Sequence, residues 1–332
     1  MAESAALLID QVLPPLPLRQ WVLTLPIPLR LLCATDSRAL SEILRIVYRC
    51  LSAHLLSAAH LDKHRARTGA VTFIQRFGGS VNLNIHFHIL ALDGVYRLDP
   101  TAKTLLHFRP VHPPTPLELQ ALLERIAQRI GRRLERLGYL TRDGAEGQDP
   151  HLTFPNDAEP PEDQATLLTL QQAAITYRIA AGPHAGQKAF TLKTLPPSFE
   201  DKGPELASAH GFSLHAGVAC SPAEPDLLQR LPRYIARPAL AESRLSLTPQ
   251  GDLRYRIKSP WRDGTTHLIL HPLDFLARLA SLVPKPRVNL TRYHGILAPT
   301  PVSAPSSPPR AGAQPTRMPS SAHAPRPSAA RP

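Results

Sequence analysis

Two histidines stand two positions apart in residues 81–96, whose sequence is VNLNIHFHILALDGVY. Side chains of a β-strand alternate between its faces, so His86 and His88 would project in the same direction, about 6.5–7 Å apart at the backbone. Phe87 would point to the opposite face. Two imidazoles at this spacing can bind one divalent metal ion, although a histidine pair on a half-exposed strand can equally have no ligand.

The same two-residue alternation continues on either side of the histidines. One predicted face is apolar and the other is polar; the apolar row is Val81, Leu83, Ile85, Phe87 and Ile89, and the polar row is Asn82, Asn84, His86 and His88. A polar row that packs against other elements needs hydrogen-bond partners or a ligand, because an unpaired buried polar group costs free energy.

The block around the histidines, GAVTFIQRFGGSVNLNIHFHILALDGVY, resembles the signature of HUH-type transposases, the rolling-circle insertion-sequence enzymes of the two-tyrosine kind. The resemblance extends from residue 1 to about residue 299 and is weaker around 141–205. Other blocks similar to this family are LRQWVLTLPIPLRLL, LLERIAQRIGRRLERLGYL, GFSLHAGVACSP, RYIARPALAESRLSL and SPWRDGTTHLILHPLDFLARLASLVPKPRVNLTRYHGILAP.

The resemblance implies an α+β fold, namely an HUH nuclease core with a central antiparallel sheet flanked by helices. It also implies that the two histidines hold a divalent metal, Mg²⁺ or Mn²⁺, which polarises the scissile phosphate of single-stranded DNA at a transposon end. A tyrosine then attacks, leaving a 5′-phosphotyrosine and a free 3′-hydroxyl. Such a covalent intermediate conserves the energy of the phosphodiester for later rejoining.

The resemblance selects Tyr234 as the nucleophile, because LLQRLPRYIARP is similar to the family's tyrosine-bearing helix. Two-tyrosine members carry a second tyrosine one turn earlier, where this chain has Arg230, so we expect a single-tyrosine variant. Arg230 and Tyr234 share a helix face at this spacing, and Arg230 either steadies a phosphate or is a surface arginine. Tyr293, next to His294, is the competing nucleophile.

A third metal ligand is expected, since two histidines rarely complete a catalytic coordination sphere. His215, in the alternating run FSLH, is the favoured candidate, with Gln75 and Asn84 as rivals. His215 can also be a hydrogen-bonded core histidine.

The composition favours a polyanionic partner. The formal charge is +12 and the sequence pI is about 10.1, and basic side chains neutralise phosphates and release counterions. Residues 301–332 contain four arginines and no acidic residue, so part of this charge belongs to the C-terminal segment. We expect single-stranded DNA or transposon ends as the partner, without a small-molecule cofactor.

Cysteine usage and the absence of an apolar span indicate a cytoplasmic protein. Cys33, Cys50 and Cys220 form no C-x-x-C pair, which makes a disulfide framework or a cysteine zinc site unexpected. No apolar run approaches the roughly 20 residues of a membrane span, and the N-terminus does not have a signal-peptide pattern. We therefore predict no membrane contact, and association with the bacterial nucleoid when DNA is bound.

Hydrophobic periodicity and composition divide the chain into two parts. The first is a transposase domain over residues 1–299, with a possible subdivision at a loop over 141–165. The second is a disordered Pro/Ser/Ala/Arg-rich tail over 300–332. Helices are predicted from about 40 to 55 with Asp36 or Ser37 as the cap, and over 116–137, 226–236 and 272–282. Strands are predicted within 18–32, 70–76, 81–92, 105–109, 173–194, 211–219 and 268–270.

The helix predicted over 116–137 carries five arginines beside its apolar stripe. They form a solvated surface or contact a DNA backbone; they are Arg125, Arg129, Arg132, Arg133 and Arg136.

The leading functional hypothesis is a DNA transposase of the single-strand nicking class. A replication initiator or conjugative relaxase would use the same metal and tyrosine, a decayed element would bind DNA without cleaving it, and a metal-dependent hydrolase of small molecules fits the net charge poorly. The cysteine-rich zinc module that usually precedes this block in similar proteins is missing before Met1. We therefore expect a truncated or frame-altered transposase with weak sequence preference.

Overall fold

The structure is a computed structural model that describes residues 12–102, 104–141, 151–152, 162–182, 184–195, 203–235 and 238–299. Within these residues the chain forms fifteen strands and six α-helices. The predicted tail over 300–332 and most of the predicted loop over 141–165 lie outside the described residues.

The helices are α1 (Ile27–Thr35), α2 (Ser37–Ala58), α3 (Pro116–Arg136), α4 (Glu162–Ile175), α5 (Pro225–Ile235) and α6 (Pro272–Leu282). The strands are β1 (Leu18–Thr24), β2 (Ala66–Arg67), β3 (Gly69–Phe77), β4 (Leu83–Leu92), β5 (Gly94–Leu98), β6 (Leu105–Pro110), β7 (Leu140–Thr141), β8 (His151–Leu152), β9 (Phe190–Lys193), β10 (Leu206–Ala209), β11 (Phe212–Cys220), β12 (Leu245–Leu247), β13 (Leu253–Arg256), β14 (Thr265–Leu270) and β15 (Thr291–Gly295).

The largest sheet has six strands in the order β10-β11-β1-β4-β3-β15, and every neighbouring pair is antiparallel. The predicted α+β class with a central antiparallel sheet is confirmed. A second sheet, β12-β13-β14-β9, has four strands, and a third joins β2, β5 and β6.

The central strand β4 has the predicted two-residue alternation. Ile85 and Phe87 are fully buried in the main core, together with the apolar faces of α1, α2 and α3. Leu90 and Leu92 belong to a separate core on the opposite face, where Leu231 of α5 packs against them. The sheet is therefore covered by helices on both faces, and His86 and His88 share a face with Leu90.

The connection from β3 to β4 ends two residues later than the sequence predicted. The strand begins at Leu83, because Val81 has a φ of 54° and belongs to the turn. Asn82 accepts a hydrogen bond from the Ser80 hydroxyl at 2.8 Å within that turn, so it is not part of the polar row. A Cβ atom at Gly78 would lie 2.5 Å from Asn82 Oδ1, so a larger residue at this position would force the Asn82 side chain to move.

The predicted helix caps of α2 and α3 are confirmed. Asp36 accepts hydrogen bonds from the backbone of Arg38 and Ala39, and Thr115 forms a capping box with Glu118. At the other end of α3, Tyr139 donates to Asp36 Oδ2 at 2.6 Å, so α2 and α3 run antiparallel beside each other.

Two element predictions need correction. The segment over 18–32 is a strand only to Thr24, because Pro26 precedes a new helix with Pro28 in its first turn. The segment over 173–194 was predicted to form strands, but its first residues are the last turn of α4. The sequence analysis missed this helix, and β9 is the only named strand among the described residues of the segment. The apolar residues of α4 are spread around its circumference, so they give no one-sided helical pattern.

A buried ion pair joins β1 and β11 of the large sheet to Asp93, the residue that follows β4. Arg19 of β1 donates two hydrogen bonds to the carboxylate of Asp93, at 3.0 and 2.8 Å, and a third to the Ala216 carbonyl of β11 at 2.9 Å. Both side chains are almost inaccessible to water. Fully bonded geometry of this kind is needed to offset the cost of burying two charges.

All three cysteines are free and buried, as predicted. No helix in the described part of the chain combines the length and the apolar character that a bilayer span requires.

We predict that Asp93→Ala lowers the free energy of unfolding by about 3–5 kcal/mol, because it leaves the Arg19 guanidinium buried without its carboxylate. Urea unfolding followed by circular dichroism measures this. Lys193→Gln, which removes an exposed ion pair with Asp263, is the control and should change stability little. Equal effects of the two substitutions would contradict the assignment of Arg19–Asp93 as a structural pair.

Candidate metal and tyrosine site

His86 and His88 lie in the middle of β4, with ring centroids 5.0 Å apart and ring planes inclined at 59°. Gln75 of β3 stands directly opposite His86 in the register. Directly opposite residues of an antiparallel pair project from the same face, so Gln75 shares the face of the two histidines. The predicted face of β4 therefore gathers two imidazoles and one amide side chain.

His88 is held from both sides by glutamine side chains. Gln20 Nε2 of β1 donates to His88 Nδ1 at 2.6 Å, and His88 Nε2 donates to Gln75 Oε1 at 3.1 Å. One ring nitrogen accepts and the other donates, which fits a neutral imidazole. These two contacts fix the ring plane of His88 and place its proton on Nε2, towards Gln75.

Both imidazoles are in the neutral charge state that metal binding requires. Burial, with contributions from the nearby His86 and Lys258, lowers the pKa of His88 to about 3. Burial also lowers the pKa of His86, with a smaller contribution from Arg30. Both rings are therefore neutral at physiological pH. His86 Nδ1 donates to the Asn84 carbonyl, which leaves a lone pair on its Nε2, whereas a metal at His88 Nε2 would displace the proton that this nitrogen donates to Gln75.

The side chains around the histidines fit a divalent metal. Asn84 Oδ1, two residues before His86 on the same face, is buried and has no hydrogen-bond partner among the described residues. Gln75 Oε1 faces His88. Two neutral imidazoles with two amide oxygens form a mixed nitrogen and oxygen donor set that suits Mn²⁺ and, through its oxygens, Mg²⁺. No group of three His, Cys, Asp or Glu side chains with metal-binding geometry occurs in the described ranges.

Tyr234 lies on α5, which covers the histidine face of the sheet. Leu231 and Ile235 of this helix are buried in the core with Leu90, while Tyr234 is 38% exposed. Gln75 Nε2 donates to the Ile235 carbonyl at 3.2 Å. Gln75 thus contacts His88 with one end of its amide and the tyrosine helix with the other, which fixes α5 relative to the histidines.

The histidine cavity, as we call it, has a volume of about 280 Å³ and brings the predicted residues together. Its polar lining includes Gln75, Asn84, His86, His88, Tyr234, Arg244, Tyr255 and Lys258. Two of the other predicted residues, Arg230 and His215, are not among the described residues that line it. Arg230 is exposed one turn before Tyr234 on α5.

His215 lies on β11, which is separated from β4 by the intervening strand β1. Two strand spacings amount to about 9.5 Å. Its Nε2 faces Glu205 Oε2 at 3.8 Å, so the structure brings His215 beside a carboxylate and not beside the histidine pair. The sequence predicts the strand that carries His215 but not the order of strands in the sheet.

The comparisons with known proteins identify a family. A family model described as "Putative transposase" matches residues 69–304, which is more than two thirds of the chain. The chain belongs to this transposase family. Neither a curated protein nor a solved structure matches the chain significantly. The predicted recognition of a transposase of the two-tyrosine type is confirmed, and the chain is thereby a DNA-processing enzyme of DNA transposition.

Lys258 is a residue of the histidine cavity that the sequence analysis missed. It follows β13, donates a hydrogen bond to the Tyr234 hydroxyl and places its ammonium nitrogen 4.4 Å from the centre of the Tyr234 ring. The Tyr234 side chain thus lies beside a fixed positive charge. A lysine in a short polar segment gives no signal of such a contact in the sequence.

Arg244 and Tyr255 are two further residues that the sequence analysis missed. Tyr255 lies on β13 of the second sheet, and Arg244 directly precedes β12 of the same sheet. Arg244 Nη1 and Tyr255 Oη are buried, line the histidine cavity and have no hydrogen-bond partner among the described residues. The Arg244 guanidinium also lies 5.5 Å from the Tyr255 ring centre. Unsatisfied donors in a cavity are suited to bind an anionic ligand such as a phosphate.

The competing tyrosine, Tyr293, lies away from the histidine cavity of the transposase. It is on the edge strand β15 opposite Val71, four residues along β3 from Gln75, or about 13 Å. Its neighbour His294 stacks on Tyr48, with ring centroids 4.7 Å apart, and its Nε2 is 3.0 Å from the Thr72 hydroxyl. The stacking and hydrogen-bond contacts of His294 indicate that Tyr293 and His294 have a structural role.

We predict that His294 makes the transposase less stable in mild acid. Burial, with a contribution from Arg292, lowers its pKa to about 4, whereas the unfolded value is about 6.5. A depressed pKa means that the unfolded chain binds more protons, so stability is lost as the pH falls from about 6.5 towards 4. His294→Gln keeps a side chain that can hydrogen-bond to the Thr72 hydroxyl but cannot titrate.

Urea unfolding of both proteins at about pH 7.5 and about pH 5 measures this effect. The stability of the wild type relative to His294→Gln should fall by roughly 1–2 kcal/mol between the two pH values. A relative stability that does not change with pH would contradict the burial of a neutral His294.

Proposed function

We propose that this transposase nicks single-stranded DNA at transposon ends by metal-assisted attack of Tyr234 on a phosphodiester. The observation that carries the proposal is the convergence of His86, His88 and Tyr234 on one cavity, although Tyr234 is about 150 residues away in the sequence. The single-stranded form of the substrate rests on the resemblance to HUH-type transposases. The family match favours transposition over a replication initiator or a relaxase.

His86 and His88 are the residues that would hold the divalent metal, Mg²⁺ or Mn²⁺, with Gln75 or Asn84 supplying an oxygen ligand. Gln75 is the stronger candidate for the third ligand, because its amide already contacts His88. When bound, the metal supplies Lewis-acid stabilisation of the negative charge on the phosphoryl oxygens. His215, the ligand predicted from the sequence, would have to approach from two strands away.

In the proposed reaction, the Tyr234 oxygen forms a bond to phosphorus and the bond from phosphorus to the 3′ oxygen breaks. The phenolic proton leaves to solvent, and the 3′ oxygen takes up a proton to become a hydroxyl. The product is a 5′-phosphotyrosine on Tyr234, and the reverse reaction can rejoin the strand. With arginine at position 230, this chain has one nucleophile on α5, so strand transfer by two alternating tyrosines on this helix is not expected.

Lys258 is proposed to stabilise the tyrosine oxygen during both directions of the reaction. The ammonium donates to this oxygen in the structure, and a charge-assisted hydrogen bond strengthens as the oxygen becomes negative. The same contact would stabilise the phenolate when the 3′-hydroxyl attacks the phosphotyrosine. Lys258 would therefore act on the attacking group, whereas the histidines act on the phosphate.

Arg244 and Tyr255 are proposed to position the scissile phosphate. Their unsatisfied donors line the same cavity as Tyr234. A guanidinium can donate two parallel hydrogen bonds to a phosphate, which fixes the orientation of the phosphate as well as its distance. Near-attack geometry of this kind contributes a large part of many catalysed rates.

The first prediction for this mechanism concerns a covalent adduct. Wild-type protein incubated with a labelled single strand of the transposon end and Mn²⁺ should form a protein–DNA adduct that peptide mapping assigns to Tyr234. Tyr234→Phe should bind the strand with unchanged affinity and form no adduct, because only the nucleophilic oxygen is removed. His86→Ala and His88→Ala should abolish the adduct by removing ligands of the metal.

His215→Ala is the matched histidine control, and it should form the adduct at the wild-type rate if Gln75 supplies the third ligand. Loss of the adduct in His215→Ala would restore His215 as a ligand. An adduct that maps to Tyr293, or one that persists when both His86 and His88 are alanine, would refute the mechanism. DNA binding without any adduct in the wild type would identify a non-catalytic remnant.

The second prediction concerns Lys258. Lys258→Gln should slow adduct formation about 10–100-fold, the equivalent of one charge-assisted hydrogen bond of about 1.5–3 kcal/mol. The affinity for the single strand should change much less than the rate. Lys258→Arg should recover most of the rate because it retains the charge. A Lys258→Gln protein with the wild-type rate would exclude Lys258 from catalysis.

A further inference from the structure

A second basic site lies between α2 and α3, on the exposed side of these helices. The crease there forms a cavity of about 500 Å³. We call it the arginine groove and define it by the six arginines that line it: Arg45, Arg49, Arg129, Arg132, Arg133 and Arg136. All but Arg133 are exposed. The opposite sides of both helices are apolar and buried against the sheet.

Hydrogen bonds hold three of the six guanidinium groups of the arginine groove, those of Arg45, Arg133 and Arg136. Glu42 accepts a hydrogen bond from Arg133 at 2.8 Å and another from Arg45 at 2.5 Å, so it bridges α2 and α3. These two contacts lower the pKa of Glu42 to about 2. Arg136 donates to the Arg132 carbonyl at 3.1 Å. Such contacts order the groove and reduce the entropy that a ligand would lose on binding.

The charge of the arginine groove is strongly unbalanced. Six guanidinium groups line it, and Glu42 is a carboxylate that bonds to two of them, those of Arg45 and Arg133. Like charges at this density repel one another unless anions neutralise them. Arginine presents a planar fork of donors that matches phosphate oxygens, so a chain of phosphates is the ligand chemistry that suits the groove.

The length of the arginine groove corresponds to several nucleotides. Arg129 and Arg136 are seven residues apart on α3, which is about 10 Å along the helix axis. A strand of B-DNA advances about 3.4 Å per nucleotide along its axis. The groove can therefore contact about three consecutive phosphates of one strand.

The arginine groove is on the opposite side of the large sheet from the proposed reaction. Phe87 of β4 packs into the core that α2 and α3 cover, whereas His86 and His88 project from the other face towards α5. A nucleotide in the histidine cavity cannot lie in the groove at the same time. A ligand of the groove must be a separate stretch of nucleic acid.

We propose that the arginine groove is a second DNA-binding site, which holds the phosphodiester backbone of a stretch of DNA other than the one at Tyr234. The site carries no base-specific contact and would bind by counterion release. This inference goes beyond the proposed function, because it requires neither a metal nor the tyrosine. The stretch can be duplex DNA flanking the transposon end or a more distant part of the single strand.

The test compares two triple variants with the same change in charge. One is Arg129→Gln, Arg132→Gln and Arg136→Gln in the groove, and the other is Arg38→Gln, Arg97→Gln and Arg109→Gln at exposed positions elsewhere. Both are made in the Tyr234→Phe protein and assayed without metal, so the outcome does not depend on whether the chain cleaves DNA. Fluorescence anisotropy gives the affinity for a random duplex and a random single strand over a series of salt concentrations.

The groove variant should lower the slope of log affinity against log salt by about 2–3 for the duplex or about 2 for the single strand, roughly 0.9 or 0.7 per lost phosphate contact. The form of DNA, duplex or single strand, for which the slope decreases more is the form that the groove binds. The control variant should keep the wild-type slope. An unchanged slope in the groove variant, or equal losses in both variants, would overturn the proposal.

A footprint on unsubstituted protein provides a measurement that does not depend on the folding of a variant. Phenylglyoxal modifies accessible arginines, and mass spectrometry identifies the modified peptides. Bound DNA should protect Arg129, Arg132 and Arg136 while Arg38 and Arg97 remain reactive. Modification of the groove arginines at the same rate with and without saturating DNA would overturn the proposal.

Discussion

The two-residue period of β4 is the constraint on which the rest of the structure depends. Its odd-numbered residues are buried against α1, α2 and α3, and each large apolar side chain contributes about 1.5–3 kcal/mol to that packing. A register slip of one residue would move His86 and His88 into the apolar core and expose Phe87 in the histidine cavity. The burial of the odd-numbered side chains therefore fixes the direction of the even-numbered ones. The strand itself thus directs both imidazoles into the histidine cavity.

The helices on the two faces of the sheet then have different consequences. On the histidine face, Gln75 joins His88 to the carbonyl of Ile235, so the position of Tyr234 depends on the same strands that hold the imidazoles. On the other face, the packing of α2 against α3 brings arginines of two helices into one groove. In our proposals the sheet separates a site of phosphodiester chemistry from a site of backbone binding, which would let one monomer hold two stretches of DNA.

The parts of the structure that could be predicted from the sequence are those set by local patterns. Alternation predicted the face shared by His86 and His88, and the capping box predicted the start of α3; the helix predicted over 272–282 has the observed bounds of α6. The parts that could not be predicted depend on pairing between distant segments. Lys258 reaches Tyr234 only because the second sheet packs beside α5, and His215 lies away from the histidines only because β1 intervenes between β11 and β4. Alternation along a strand determines its faces but contains no information on its neighbours.

Anomalous X-ray diffraction from crystals of the protein soaked in Mn²⁺ tests the central claim most directly, since it locates the metal without relying on activity. The account predicts an anomalous peak within coordination distance, about 2.0–2.3 Å, of a ring nitrogen of both His86 and His88, with Gln75 or Asn84 providing an oxygen. His86→Ala crystals should lose the peak. A peak between His215 and Glu205, or no peak at β4 in crystals that bind Mn²⁺ elsewhere, would contradict it.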